Sequence, residues 1–369
     1  WPGGRSNHYN FDLNRDWVWQ TQEETRQRIR LYAQWLPHVH VDFHEQGINE
    51  PYYFAPAAQP YHEVITSWQR AFQDSAGRNN ARYFDKKGWL YFTRDVFDLY
   101  YPSYGDTYPL YNGAIGMTYE QGGGPQGGLA VITEDGDTLT LKERVLHHYT
   151  ASLSTLETTS AQAGRLINGF AGYFNQVLLK GTEGYKSFVI KYDASRQDQI
   201  AALLQLLDNN RIRYGLSEGA AMGLNYDNGK EENFTVDPDD IVISVFQPQG
   251  TLVKVLFEPQ SRLADSLTYD ITAWAMPYVY GLKAYAVKQK IRVAPRSAPG
   301  PVKNLPDESA YGYVIKWQSI RSAGVLADLL KQGIKLRVAE EPFELNGISF
   351  ERGALLVLKN ELTPGGMIA

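Results

Sequence analysis

Four polar side chains sit where chemistry could be done. In Asp12-Leu13-Asn14-Arg15-Asp16-Trp17 an amide and a guanidinium stand side by side after an aromatic-rich loop. An arginine fork suits two-point capture of a carboxylate, and the adjacent asparagine can add a hydrogen bond to the same group. In Val41-Asp42-Phe43-His44 a histidine closes a strand-like run. A neutral imidazole there suits a zinc ligand, and equally a hydrogen-bonded core side chain. In Gly113-Ala114-Ile115-Gly116-Met117-Thr118-Tyr119-Glu120 a carboxylate ends an apolar strand before a run of glycines. Partial burial would raise its pKa toward the range of a general base, while the plainer role is a cap or a salt-bridge partner.

Other candidates carry less. His147 and His148 fall in a predicted helix, where adjacent side chains point about 100° apart and do not converge on one ion, so a structural role is expected. His38 and His40 share one face of a predicted strand, and a cross-strand or solvated role is expected of them. The glycine-rich stretch 122–128 lacks the Gly-Lys-Ser/Thr ending of a phosphate loop and is expected at the rim of a site.

The elements that must position these residues follow from periodicity. Residues 20–36 predict an amphipathic helix with Ile29, Ala33 and Leu36 near one face, stopped by Pro37. Residues 38–44 alternate as a strand, placing His44 at its C-terminal end. A second helix is expected over 63–74, and 116–120 forms a short strand that ends at Glu120. Two polar residues at strand ends point to one crevice, as in open α/β sheets. Residues 139–179 are mostly helical.

From residue 185 the pattern changes. Phe188-Val189-Ile190, a helix over 200–207 and Ile212 to Tyr214 give a β-α-β order, which recurs at Tyr313-Val314-Ile315-Lys316, a helix over 325–330 and Ile334 to Val338. Val189-Ile190-Lys191 returns as Val314-Ile315-Lys316, so an internal duplication is expected. Each β-α-β is followed by a hairpin signal, Asp227-Asn228-Gly229 and then Asn346-Gly347. Residues 227–240 are expected as a flexible loop, 295–306 as a proline-rich connector, and Tyr269-Asp270-Ile271-Thr272-Ala273-Trp274 as a candidate contact segment or part of the core.

Composition bounds the rest. With 369 residues, 43% hydrophobic and 21% charged, the chain has the balance of a compact globular protein of about two domains. A net charge of −5 with mixed signs argues against nucleic acid as a partner. No apolar run approaches the roughly 20 residues needed to span a bilayer. The absence of cysteine excludes disulfides, thiolate ligands and a cysteine nucleophile.

The order of Asp-x-Asn-Arg-x-Trp, a strand-ending His and a strand-ending Tyr-Glu resembles the carboxypeptidase A-like family of zinc metallocarboxypeptidases. The likeness covers residues 4–124. It implies that Asn14 and Arg15 hold the substrate's C-terminal carboxylate and that Asp12 supports their loop. It further implies that His44 is the third zinc ligand and that Glu120 is the general acid/base. Tyr101 best matches the tyrosine that closes over bound peptide, with Tyr100 and Tyr104 as alternatives. In such an enzyme zinc polarises the scissile carbonyl and acidifies a water whose proton the glutamate takes and passes to the leaving amine.

The sequence departs from that pattern in three ways. No histidine here has Glu three residues later, so the family's His-x-x-Glu zinc pair is unmatched, and so is its oxyanion-stabilising arginine. The interval from Arg15 to His44 is also shorter than in the pancreatic enzymes. The chain opens at Trp1 without a methionine, and the missing parts are expected upstream, together with any export signal.

The expectation is therefore an α/β protein. Residues 1–181 would be the C-terminal portion of a zinc carboxypeptidase-like domain with a partial mixed sheet and helices. Residues 182–369, which more faintly resemble a glutamine amidotransferase-like α/β domain, would be non-catalytic and hold the duplicated β-α-β unit. The parent would be a secreted or periplasmic metallocarboxypeptidase, a hydrolase taking one zinc ion and acting on a peptide or cell-wall stem peptide. The piece itself is expected to be inactive, with zinc absent or weakly held. The alternative is a non-catalytic peptide- or glycan-binding protein on a carboxypeptidase scaffold.

Overall fold

A computed structural model of the protein describes residues 6–263, 267–271, 273–295 and 309–359. Within them the chain is mixed α/β. Packing groups it into two compact units, residues 1–192 with 203–297, and residues 193–202 with 298–369. The boundary at 181/182 divides the sequence and these units divide the packing, and the two do not coincide.

The first 180 residues hold α1 (Glu23–Trp35), β1 (Val39–Gln46), β2 (Tyr52–Tyr53), β3 (Ala58–Tyr61), α2 (Ser67–Lys87), β4 (Tyr91–Phe92), β5 (Asp98–Leu99) and α3 (Thr107–Tyr111). These are followed by β6 (Ile115–Gly122), β7 (Ala130–Ile132), β8 (Thr138–Thr140), α4 (Leu141–Ala161) and α5 (Ala163–Lys180). A mixed four-stranded sheet runs β1-β6-β2-β4. Its central strand β6 is parallel to β1 and antiparallel to β2. The core under it is aromatic, with Tyr52, Phe54, Phe72, Phe84, Met117 and Tyr119 buried together.

α1 buries Thr25, Ile29 and Tyr32 and ends at Leu36 in the left-handed region, directly before Pro37. α2 starts later and runs further than the apolar pattern predicts. A reciprocal capping box of Thr66 and Gln69 sets its start, satisfying two helix-end donors at once. Thr140 and Glu143 do the same for α4.

A strand-helix-strand order with a hairpin and a further strand follows: β9 (Ser187–Ile190), α6 (Gln197–Asn209), β10 (Tyr214–Leu216), the hairpin β11 (Gly219–Asn225) with β12 (Glu231–Val236), and β13 (Ile241–Ser244). α7 (Gly250–Phe257), α8 (Met276–Val279), β14 (Ala284–Val287) and β15 (Ala294–Pro295) follow. The seven-stranded sheet has the order β12-β11-β14-β9-β13-β10-β15, with β13 inserted antiparallel between the two strands of the β-α-β unit.

The second copy has β16 (Gly312–Ile315), α9 (Ile320–Lys331), β17 (Arg337–Val338), the hairpin β18 (Phe343–Leu345) with β19 (Ile348–Phe350), and β20 (Leu355–Leu358). Its sheet is β16-β20-β17, so the last strand is again inserted antiparallel between the first two.

Both hairpins form at their Asn-Gly signals. The loop expected over 227–240 holds the strand β12 at its centre, with turns on either side. β12 is an edge strand whose outward residues are polar while Val236 is buried, and that polar face hides its alternation. The proline-rich connector, beyond Pro295, lies outside the described residues.

Candidate active site

The turn Leu13–Arg15 is capped by Asp12, whose carboxylate accepts the Asn14 N–H at 2.8 Å. This turn presents Asn14 and Arg15. The Asn14 amide is fixed in orientation, because its Oδ1 accepts from Trp17 Nε1 at 3.1 Å and from the Gly105 N–H at 2.8 Å. Gly105 is required by this approach, since a Cβ there would lie 2.0 Å from Asp42 Oδ2.

β1 and β6 run in register, so His44 and Glu120 are direct cross-strand partners. β6 continues two residues beyond Glu120, which is buried. His44 Nε2 lies 2.6 Å from Asp42 Oδ2 and 3.1 Å from Asn14 Nδ2. His44 Nε2 thus faces the Asp42 carboxylate and the Asn14 amide nitrogen together, and the ring's tautomer sets which of the two contacts it makes as donor. A carboxylate behind an imidazole is the arrangement that orients histidines toward metals.

Asn14, Arg15, His44 and Glu120 thus line one cleft, together with Phe97, Asp98, Tyr104, Asp106, Thr118 and Tyr269. Tyr101 is not in its lining. Its buried hydroxyl lies 3.3 Å from the Arg15 carbonyl and takes the Trp19 indole N–H. Tyr104 lines the cleft instead, with the Arg15 guanidinium 4.6 Å from its ring centre and its buried hydroxyl without a hydrogen-bond partner among the described residues.

The cleft is rich in carboxylates. Burial pushes Asp106 up to about 7, against the hydrogen bond its Oδ2 accepts from Thr118 at 2.9 Å. Burial also raises Asp98, although its carboxylate accepts the Tyr269 and Tyr100 N–H groups at 2.6 and 3.1 Å. For Arg15, burial would lower the pKa, but the bond to Asp270 and the proximity of Tyr104 and Asp12 outweigh it, so the guanidinium is held above its usual range.

Support comes from α4. Arg144 Nη1 donates to Glu45 at 2.8 Å, His147 Nδ1 donates to Gln121 Oε1 at 2.7 Å, and His148 Nδ1 pairs with the Tyr52 hydroxyl at 2.8 Å. His148 also hydrogen-bonds the His44 backbone. One helical turn therefore braces the strand ends that carry His44 and Glu120. Burial lowers both imidazoles, His147 to about 4, so both act as neutral hydrogen-bonding groups.

Residues beyond 181 also reach this half. Asn210 donates to the Val18 carbonyl at 2.9 Å and accepts from the Tyr108 hydroxyl at 3.0 Å. Trp274 is buried beside Tyr100 at 4.9 Å, and Asp270 pairs with Arg15 Nε at 2.6 Å. The sequence pattern flagged 269–274 as a contact segment or part of the core, and nothing in it singled out Asp98, Asp106 or Asp270.

The donor set does not fit a catalytic zinc by itself. Such sites use three protein ligands, and among the described residues no group of three His, Cys, Asp or Glu side chains is placed to hold a metal. Also among the described residues, no helix is long and apolar enough to cross a membrane. Comparison with protein-family models, curated proteins and solved structures finds no match.

Proposed function

We propose that this chain carries the terminal-carboxylate clamp and the proton-transferring carboxylate of a zinc carboxypeptidase. The supporting observation is that Asn14, Arg15, His44 and Glu120, drawn from three separate stretches, line a single cleft. Arg15 and Asn14 would grip the free carboxylate of a peptide and so fix which bond reaches the reacting centre, which makes the enzyme an exopeptidase. Glu120, buried across from His44, would accept a proton from the attacking water and return it to the leaving amine. Tyr104, whose hydroxyl is buried in the cleft, is better placed than Tyr101 to touch bound peptide.

The reading requires the remaining zinc ligands to come from polypeptide beyond these 369 residues. It includes a carboxypeptidase-like sheet in the first 181 residues, a non-catalytic amidotransferase-like region after them, and a secreted or periplasmic protein acting on peptides or stem peptides. The test is to express the gene with its upstream sequence, measure bound zinc and assay release of C-terminal residues. Glu120→Gln is expected to abolish turnover while zinc content stays, and unchanged turnover in that variant would sink the assignment.

A second reading, a non-catalytic peptide- or glycan-binding protein on the same scaffold, is favoured by the single histidine in the cleft. It predicts carboxylate binding that depends on Arg15 but neither zinc nor turnover in the longest expressible protein.

A further inference from the structure

We infer that residues 267–271 are an internal occupant of the clamp: Asp270 stands on Arg15 where a ligand's carboxylate would stand, so that ligand binding exchanges one carboxylate for another. This rests on the clamp reading of Asn14 and Arg15 given above.

Asp270 Oδ2 accepts from Arg15 Nε at 2.6 Å across 255 residues of chain, so the contact is not a by-product of local helix or turn geometry. The segment is held at its neighbouring residue as well. The Tyr269 N–H donates to Asp98 Oδ2 at 2.6 Å, and the Tyr269 ring packs against Phe97 at 5.4 Å and Tyr104 at 6.2 Å. Arg15 lies against both tyrosines, 4.6 Å from the Tyr104 ring centre and 5.9 Å from that of Tyr269. What remains of the cleft is about 30 Å³. That is room on the order of one water, whereas ligand pockets run to roughly 300 Å³ or more. Tyr269 is the segment's contribution to the cleft wall, so withdrawal of the segment would both free Arg15 and open room for a terminal amino-acid residue.

Magnitudes allow that withdrawal. The Asp270 side chain is 37% exposed and that of Arg15 22%. An ion pair this open holds off a competing carboxylate by about fivefold or less, and Asp270 regains water when it leaves. An incoming carboxylate would gain both Arg15 and the orientation-fixed Asn14 amide.

The test is calorimetric titration of the full 369-residue chain with an N-acetylated dipeptide bearing a free carboxylate, and with its C-terminal amide. Wild type, Asp270→Asn and the double variant Asp270→Asn/Arg15→Gln are compared. Asp270→Asn is close in shape to the native side chain and is expected to bind the free acid about threefold to fivefold more tightly than wild type, with the amide bound by neither protein. Asp98→Asn, which weakens the hold on Tyr269, should shift affinity the same way by less. Equal affinity in wild type and Asp270→Asn, with binding lost in the double variant, overturns the exchange and leaves the clamp standing. Binding that survives in the double variant, or that is as tight for the amide, removes the clamp itself. No binding of the free acid by any variant at millimolar peptide removes both.

Discussion

The two copies of the strand-helix-strand-hairpin-strand unit share order, pairing and even the way their helices stop, yet they are packed differently. In the first, Ile212 N–H bonds the Leu207 carbonyl and Arg211 N–H that of Asp208; in the second, Ile334 and Gly333 repeat this on Leu329 and Leu330. Both chains turn through the left-handed region there, Arg211 at φ 58° and Gly333 at φ 73°. But every residue of β9 is buried, whereas every residue of β16 is only partly so. The first copy sits in a seven-stranded sheet beside the site-bearing half. The second has three strands over a small core of Leu329, Ile334 and Val357. The same topology thus serves two levels of burial, and the surroundings of each strand set its contribution to stability.

Equivalent substitutions test this directly. Ile190→Ala, at a fully buried position, should cost about 4 kcal/mol, while Ile315→Ala should cost about 1, both from urea midpoints. Equal losses would mean that the second core is as tightly packed as the first. The next largest contrast is Lys191→Met against Lys316→Met. Lys191 bridges Asp237 and the buried Asp240, and its removal leaves that carboxylate without a countercharge, held only by the Tyr192 and Asp237 N–H groups, at a cost of about 2 kcal/mol. Lys316 lies over the Phe350 ring at 5.6 Å, and its loss should stay within about 0.5 kcal/mol.

The Lys191 contribution has a pH signature. Burial would lower this pKa, but the bonds to Asp237 and Asp240 outweigh it and raise it above the unfolded value. The stabilisation is then fully present below about pH 10 and lost as pH rises through the folded pKa, so wild type and Lys191→Met should converge in alkali. The smallest contrast is at the helix ends: Gly333→Ala should cost about 1 kcal/mol through its positive φ. Arg211→Gly should change stability by less than about 0.5, because backbone relief is offset by loss of the Arg211 bond to the Ala33 carbonyl.

Much of this organisation is legible in the sequence where a residue's neighbours along the chain decide its state. The alternation at 38–44 marks β1, Pro37 marks the end of α1, and Val-Ile-Lys marks both copies. The start of α2 was legible too, but only through Thr66 and Gln69, a capping signal that periodicity ignores. What stays hidden is decided across the fold. Among Tyr100, Tyr101 and Tyr104, only the turn toward Asn14 and Arg15 separates the one lining the cleft from those packed behind it. Asp106 and Asp270 carry no local mark, because one is defined by burial beneath β6 and the other by a partner 255 residues away.

The in-register pairing of β1 and β6 limits how this chain can vary in length. Side chains alternate faces along a strand, so gaining or losing one residue inside 39–46 or 115–122 would turn His44 or Glu120 away from the cleft. Between the two strands, insertions or deletions should accumulate away from β2 and from the cleft-lining residues 97–106, and stop at the strand borders.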